Sequence, residues 1–87
     1  MNKVWILITP DGDTVAFNSE LTAHKYVNNR LKECDRVKED YLSYCDFFKY
    51  NCPERVPCTF DKFVDTVDGD NYDYNPYCVT ILDENNI

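Results

Sequence analysis

Val4-Trp5-Ile6-Leu7-Ile8 is a run of five consecutive large apolar residues near the start of the 87-residue chain. Three of the five are β-branched and one is tryptophan, which favours a strand over a helix. Because no polar residue alternates with the apolar ones, the run predicts a central strand that is buried on both faces. We therefore expect Trp5 or Ile6 to be central to the hydrophobic core.

The segments around this run supply two partner strands. Residues 9–14 contain the proline and the glycine that are typical of a hairpin turn. Residues 15–17 then return as a second strand, and residues 77–82 are predicted as the last strand, paired with the other side of the first. Residues 83–87 are expected to fray.

A long helical region is predicted between the second and the third strand. Asn18 and Ser19 are good N-cap residues, and no glycine or proline occurs between Asp13 and Cys52. A straight helix of about 30 residues would be about 45 Å long, so a break near residues 34–37 and two helices are expected. Apolar residues recur mostly at steps of three and four, which predicts a stripe that faces the sheet. The stripe consists of Leu21, Val27, Leu31, Cys34, Val37, Tyr41, Cys45 and Phe48.

The second half of the chain predicts a loop, a short helix and an acidic loop before the last strand. Two prolines place a loop at residues 51–58, and Thr59 is the expected N-cap of a helix over residues 60–67. Residues 68–76 are rich in turn-forming Asp, Asn and Gly. The prediction is one compact α+β domain over residues 1–87, with a three-stranded, mostly antiparallel sheet covered on one side by two to three helices.

Cysteine and aspartate spacing argues against a metal site. The chain has five cysteines, an odd number, without a secretory signal, which predicts reduced thiols. A disulfide bridge between Cys52 and Cys58 across the proline-containing loop is an alternative that the sequence leaves open. Successive cysteines are 11, 7, 6 and 20 residues apart, without the close pairs of a zinc site. The aspartates of residues 65–73 do not match the spacing of a calcium-binding EF-hand loop. We therefore expect no metal and no cofactor.

Few residues suit catalysis. The one histidine, His24, lies on a predicted helix without a serine motif beside it, and two glycines cannot build a phosphate-binding loop. The protein is therefore predicted not to be an enzyme. No apolar run approaches the roughly 20 residues of a membrane span, and the N-terminus lacks the pattern of a signal peptide. These features predict a cytoplasmic protein without membrane contact.

Negative charge is concentrated in the second half of the chain. Residues 1–45 carry seven acids and six bases, net −1, whereas residues 46–87 carry nine acids and three bases, net −6. A total net charge of −7 argues against direct binding of nucleic acid and favours a basic protein partner. Acidic side chains with tyrosines between them suit a contact surface. The candidate partner-binding residues are Asp61, Asp65, Asp68, Asp70, Tyr72, Asp73 and Tyr74.

Two alternatives to this interpretation stay open. An acidic segment also keeps a small protein soluble without binding anything. Tyr72 and Tyr74 can equally cover the edge of the core, with Tyr77 packed at the start of the last strand.

A short hairpin, a helical excursion and a terminal strand that ends in acidic residues form a layout that resembles small acidic accessory proteins of bacteriophages and other mobile elements. The resemblance is best over residues 4–31 and lies in the layout rather than in a motif. It implies a non-enzymatic inhibitor of a host defence protein, of the anti-CRISPR or anti-restriction kind, that mimics the charge of DNA. The alternative is an interaction module that dimerises or docks through helical aromatics, with the oligomeric state open between monomer and homodimer. Those aromatics are Tyr41, Tyr44, Phe47, Phe48 and Tyr50.

Overall fold

The computed structural model describes residues 2–85 and confirms the predicted α+β fold. The elements, in chain order, are β1 Asn2–Ile8, β2 Thr14–Phe17, α1 Glu20–Glu33, α2 Asp35–Asn51, α3 Phe60–Thr66, a 3₁₀ helix Gly69–Tyr72 and β3 Tyr77–Ile81. The sheet has the order β2-β1-β3, with β1 antiparallel to both neighbours. Helix α1 packs against this sheet.

The hairpin between β1 and β2 closes as the turn residues predict. Gly12 adopts a positive φ of 93°, which an L side chain rarely adopts. The backbone N–H of Gly12 donates to the carbonyl of Thr9 at 2.9 Å, and the N–H of Thr9 donates to the carbonyl of Asp13 at 2.8 Å. The resulting register sets Trp5 opposite Phe17 and Leu7 opposite Val15.

The helical region breaks at Cys34, inside the predicted interval. Cys34 has an extended backbone, with φ −77° and ψ 123°, and ends α1 while it begins α2. At the other end of α1, the Ser19 hydroxyl accepts a hydrogen bond from the N–H of Thr22 at 3.1 Å. This confirms Ser19 as the N-cap.

The core is shared by β1, β2, the three α-helices and the 3₁₀ helix with the turn that follows it. Its buried residues are Leu7, Phe17, Ala23, Val27, Leu31, Val37, Val64, Tyr72 and Tyr74. Leu7 is 1% exposed, whereas Trp5 and Ile6 are only partly buried, so the prediction that Trp5 or Ile6 is central is wrong. The prediction that β1 is buried on both faces is also wrong, because α1 covers one face and Ile8 is 56% exposed.

Within residues 2–85, α1 is the helix that makes the main contacts with the sheet. It contacts β1 and β2, while α2 and α3 pack on α1 and on each other. The predicted stripe therefore divides: Val27 and Leu31 are buried in the core, whereas the α2 part faces α3 instead of the sheet. Leu21, at the start of the stripe, is exposed, because it lies on the side of α1 away from the core.

The molecule is elongated. Its principal extents are 62 × 23 × 15 Å and its radius of gyration is 17.3 Å, against about 12 Å for a compact domain of this length. The buried residue of α2 is Val37, close to its first turn. We call residues 41–63, which comprise the remainder of α2, the following loop and the start of α3, the distal arm.

Strand and helix ends agree with the predictions to within about a residue at the C-terminal end of α3 and at β3. The predicted polar loop of residues 68–76 contains the 3₁₀ helix, an element that was not predicted. The prediction that residues 83–87 fray concerns in part residues 86 and 87, which lie outside the described residues.

Candidate partner-binding surface

The acidic segment, residues 61–73, begins on α3 and ends just after the 3₁₀ helix. The Thr59 hydroxyl accepts from the N–H of Lys62 at 3.3 Å and so caps α3, as predicted. The Asp68 carboxylate accepts from the N–H of Asp70 at 3.0 Å and starts the 3₁₀ helix in the same way. Asp68 therefore has a structural role besides its charge.

Gly69, the first residue of the 3₁₀ helix, packs closely against the turn that follows this helix. A Cβ atom at this position would lie 2.9 Å from Val27 Cγ1 and would collide with the Tyr74 carbonyl, so the absence of a side chain permits the contact. The N–H of Tyr74 donates to the Gly69 carbonyl at 2.8 Å. Asp73 between them has a left-handed backbone, with φ 66°. The turn directs Tyr72 and Tyr74 into the protein.

Tyr72 and Tyr74 belong to the core, and each is only 8% exposed. The Tyr72 hydroxyl donates to the Asp40 carboxylate of α2, and this hydrogen bond together with burial raises the pKa of Tyr72 to about 12. The Arg36 guanidinium lies 5.3 Å from the centre of the Tyr72 ring. The prediction that these tyrosines offer free contact area is therefore wrong, because the turn at Gly69 buries them.

All five predicted aspartates are exposed, but three of them contact α1 or α2. The Asp61 carboxylate lies 3.7 Å from Lys32 Nζ, and the Asp73 carboxylate lies 3.6 Å from an Arg36 guanidinium nitrogen. Asp65 accepts a hydrogen bond of 2.7 Å from the Asn28 side-chain amide.

Asp70 differs from these three, since its side chain makes no hydrogen bond or ion pair within residues 2–85. The five carboxylates thus lie on one short segment of the chain. Two cations from the first half of the chain, Lys32 and Arg36, lie beside them.

Aromatic rings hold the distal arm together. The Tyr41 ring centre lies 5.3 Å from those of Phe60 and Phe63. The Tyr41 hydroxyl donates to the Cys58 carbonyl at 2.8 Å, and the Tyr44 hydroxyl accepts from the Cys58 N–H at 3.3 Å. These two tyrosines fasten the loop before α3 to α2, so they stabilise the arm and are not free for a partner.

The exposed apolar residues of the arm are a different set from the one predicted. Of the five predicted aromatics, Phe47 and Tyr50 are exposed, and the others are partly buried. Leu42 and Val56 are also exposed and are absent from the predicted set. Leu42 directly follows Tyr41, a residue of the predicted apolar stripe. This position beside the stripe is the signal that could have identified Leu42. Val56 stands alone among polar and proline residues, and periodicity gives no signal there.

The described part of the chain offers little for metal or covalent chemistry. Within residues 2–85, no three His, Cys, Asp or Glu side chains come together as metal ligands, and all five cysteines are free thiols. His24 borders an open cleft of about 270 Å³ together with Trp5 and Glu20, and no Ser, Thr or Cys lines it. None of the helices in residues 2–85 is long and apolar enough to cross a membrane.

No protein-family model matches the sequence, and comparisons with curated proteins and with solved structures found no significant match.

Proposed function

We propose that this protein is a non-enzymatic binding protein that engages a basic protein surface through the carboxylates of the acidic segment. The observation that carries this proposal is that all five aspartates are exposed on one short stretch. The caps at Thr59 and Asp68 and the hydrogen bond between Asn28 and Asp65 hold this stretch beside α1. Charges held in fixed positions steer encounter with a complementary surface and reduce the entropic cost of binding.

The internal ion pairs leave these carboxylates available. Lys32 with Asp61 and Arg36 with Asp73 are separated by 3.6–3.7 Å and are well exposed. Exposed pairs of this kind contribute about 0 to 1 kcal/mol. A lysine or arginine of the partner can therefore replace Lys32 or Arg36 at little cost in free energy.

We infer further that the partner is a nucleic-acid-binding defence enzyme, which the protein inhibits in the cytoplasm of a host cell. The layout resemblance to acidic phage accessory proteins supports this inference, as does the net charge of −6 over residues 46–87. A groove that binds DNA phosphates is lined with Lys and Arg, and carboxylates on a rigid segment can occupy the same positions. DNA should accordingly compete with the protein for the groove.

Neutralising the acidic segment tests this proposal. The variant Asp65→Asn, Asp68→Asn, Asp70→Asn, Asp73→Asn removes four charges and preserves side-chain size. Asparagine also caps helices and tolerates the left-handed backbone at position 73, so the fold should be retained. Affinity for purified restriction endonucleases and CRISPR effector complexes, measured by biolayer interferometry, should fall about tenfold or more wherever the parent binds.

The matched control removes four exposed charges elsewhere, with Glu39→Gln, Asp46→Asn, Glu54→Gln and Glu84→Gln. It should bind within about threefold of the parent, because its charges lie outside the acidic segment. Equal losses of affinity in both variants would show that binding depends only on the total charge of the protein. Unchanged binding of the first variant at low salt would refute the assignment of the segment.

A second candidate function rests on the distal arm. Leu42, Phe47, Tyr50 and Val56 are exposed apolar side chains in this part of the molecule. An interaction module that docks through them would lose binding in the variant Phe47→Ala, Tyr50→Ala and would keep binding in the asparagine variant. The same interferometry assay therefore separates the two candidates.

A further inference from the structure

The cleft beside Trp5 carries two carboxylates and no cation to pair with them. It has a volume of about 270 Å³ and lies between β1, α1 and the turn after the 3₁₀ helix. Glu20 and Asp68 line it, and neither carboxylate forms an ion pair within residues 2–85. No lysine or arginine of the described residues borders it. We call it the Trp5 cleft, and its lining includes Trp5, Glu20, His24, Asp68, Tyr74 and Asn75.

We propose that the Trp5 cleft binds an arginine side chain of the basic partner. This inference rests on the proposed function, because Asp68 belongs to the acidic segment and the partner supplies the arginine. Glu20 is the first residue of α1, so the contact surface extends beyond residues 61–73.

The lining of the Trp5 cleft combines two features that bind a guanidinium. Carboxylates accept its N–H groups in charge-assisted hydrogen bonds, and the face of an indole attracts a planar cation. Trp5 packs against the core and is partly buried, so its ring is held in place. Asp68 accepts from the N–H of Asp70 through one oxygen, which fixes the carboxylate. The other oxygen of Asp68 makes no hydrogen bond within residues 2–85 and is available to a ligand.

A buried acceptor beside the cleft favours arginine over lysine. A second cavity, of about 50 Å³, shares Val27 and Gly69 with the Trp5 cleft and is bordered by Asn28. Asn28 Oδ1 is buried and accepts no hydrogen bond within residues 2–85, while the amide nitrogen donates to Asp65. Buried acceptors without a donor are uncommon in folded proteins. A guanidinium presents five N–H groups in a planar fork, so it can supply this donor and contact a carboxylate together, whereas an ammonium carries its donors on one nitrogen.

The volume of the cleft limits the ligand to one side chain. Clefts that hold drug-sized molecules usually measure about 300–1,000 Å³, and the Trp5 cleft is smaller, at about 270 Å³. We therefore expect a dissociation constant of about 1 mM for a single arginine derivative. On a partner, this arginine acts together with the cations that meet the acidic segment, so the combined affinity is higher.

NMR titration of the isolated protein tests the cleft without a partner. The probe is Nα-acetyl-L-arginine methylamide, followed by the indole N–H signal of Trp5, the one tryptophan, and by the amide signal of Gly69. The corresponding lysine derivative has the same charge. The citrulline derivative has nearly the same shape and no charge.

Two variants locate the binding. Glu20→Gln with Asp68→Asn removes both carboxylates of the cleft, and asparagine keeps the cap at position 68. The matched control, Glu39→Gln with Asp46→Asn, removes the same two kinds of charge at exposed positions of α2. Circular dichroism melting establishes that both variants fold.

The arginine derivative should shift both signals and bind at least about fivefold tighter than the lysine derivative, while the citrulline derivative causes no saturable shift. The cleft variant should weaken arginine binding at least about fivefold, and the control should stay within about twofold of the parent. Equal binding of the lysine derivative, or equal losses in the two variants, would overturn the arginine site. Arginine binding that leaves the Trp5 signal unmoved would overturn it as well.

The interferometry assay separates failure of the cleft from failure of the proposed function. With a bound partner, Glu20→Gln alone should weaken affinity about threefold to tenfold, since it removes a carboxylate outside the acidic segment. If the arginine derivative does not bind but the asparagine variant still loses affinity for the partner, the cleft is refuted and the proposed function stands. If the arginine derivative binds but the asparagine variant keeps its affinity, the proposed function fails and the cleft is retained.

Discussion

Tyr72 links two parts of the chain that are 32 residues apart, through the hydrogen bond from its hydroxyl to the Asp40 carboxylate. Asp40 is exposed, so removing the hydroxyl leaves a carboxylate that water can still solvate. Tyr72→Phe should therefore lower the free energy of unfolding by about 1–2 kcal/mol, measured by urea denaturation. Tyr77→Phe is the matched control and should cost under about 0.5 kcal/mol, because its side chain is exposed. Equal effects of the two substitutions would contradict the role of the hydrogen bond.

The same hydroxyl predicts a pH dependence. The pKa of Tyr72 is raised to about 12 in the folded protein, above the value of about 10 in an unfolded chain. Its contribution to stability is therefore complete below pH about 10 and is lost as the pH rises towards about 12. The difference in unfolding free energy between the parent and Tyr72→Phe should narrow over this interval. Tyr41 and Tyr44 also have a raised pKa and add to the pH dependence of stability. Both tyrosines are present in the parent and in Tyr72→Phe, so the difference between the parent and this variant isolates Tyr72. A constant difference would show that Tyr72 does not titrate in this way.

Leu7 takes the central place that the sequence assigns to Trp5 or Ile6. All five residues of the run are apolar, so the sequence does not reveal which alternate set faces the helices. Leu7→Ala should cost about 2–5 kcal/mol through lost burial and the cavity left behind. Ile8→Ala, one residue along and 56% exposed, should cost under about 1.5 kcal/mol in the same urea assay. A reversed order would mean that the strand presents its other face to α1.

At the scale of elements, local chemistry predicted more than periodicity did. Capping residues, a proline–glycine turn and the length limit on one helix identified Ser19, Thr59, the hairpin and the break at Cys34 before α2. Periodicity correctly marked one side of each helix as apolar. Periodicity does not show which element covers the apolar side of a helix, because the covering element depends on tertiary packing. The prediction therefore packed α2 on the sheet instead of on α3.

The attachment of α3 to α2 depends on the two tyrosine hydroxyls at Cys58. Tyr41→Phe with Tyr44→Phe removes the hydrogen bonds to the Cys58 carbonyl and N–H while keeping the packed rings. We expect amide hydrogen exchange in residues 52–60 to accelerate by about 30-fold, since the two lost bonds cost about 1 kcal/mol each. Tyr50→Phe, on an exposed ring, should leave this exchange unchanged. Exchange that stays slow in the double variant would show that ring packing alone holds the arm.

At the scale of the whole molecule, charge asymmetry governs the expected binding. The net charge of −6 over residues 46–87 should attract a basic partner before contact is made. Screening over about 8–10 Å weakens this attraction as salt rises. Raising NaCl from about 50 to about 300 mM should therefore reduce the association rate of the parent more than its dissociation rate, measured by the same interferometry. A salt-independent association rate would indicate that an apolar surface, such as the distal arm, makes the contact.

The candidate surface was predictable in part for the same reason. Charge can be counted along a sequence, and exposed aspartates were expected and found. The burial of Tyr72 and Tyr74 could not be read from composition, because it depends on the turn at Gly69 and on cations that lie more than 30 residues earlier, such as Arg36. The sequence also gives no signal for the elongated shape, with principal extents of 62 × 23 × 15 Å.

The pairing of β1 with β3 has a consequence for synthesis on the ribosome. Residue 8 ends β1 and residue 77 begins β3, so about 70 residues must be translated before β1 acquires its second neighbour. At about 5–20 residues per second this takes about 4–14 s. During that interval the nascent hairpin carries one free edge of an apolar strand, which is the kind of edge that recruits other unfolded chains. Slow translation of the helical region should therefore increase misfolding, and a chaperone that shields this edge should increase the yield of folded protein.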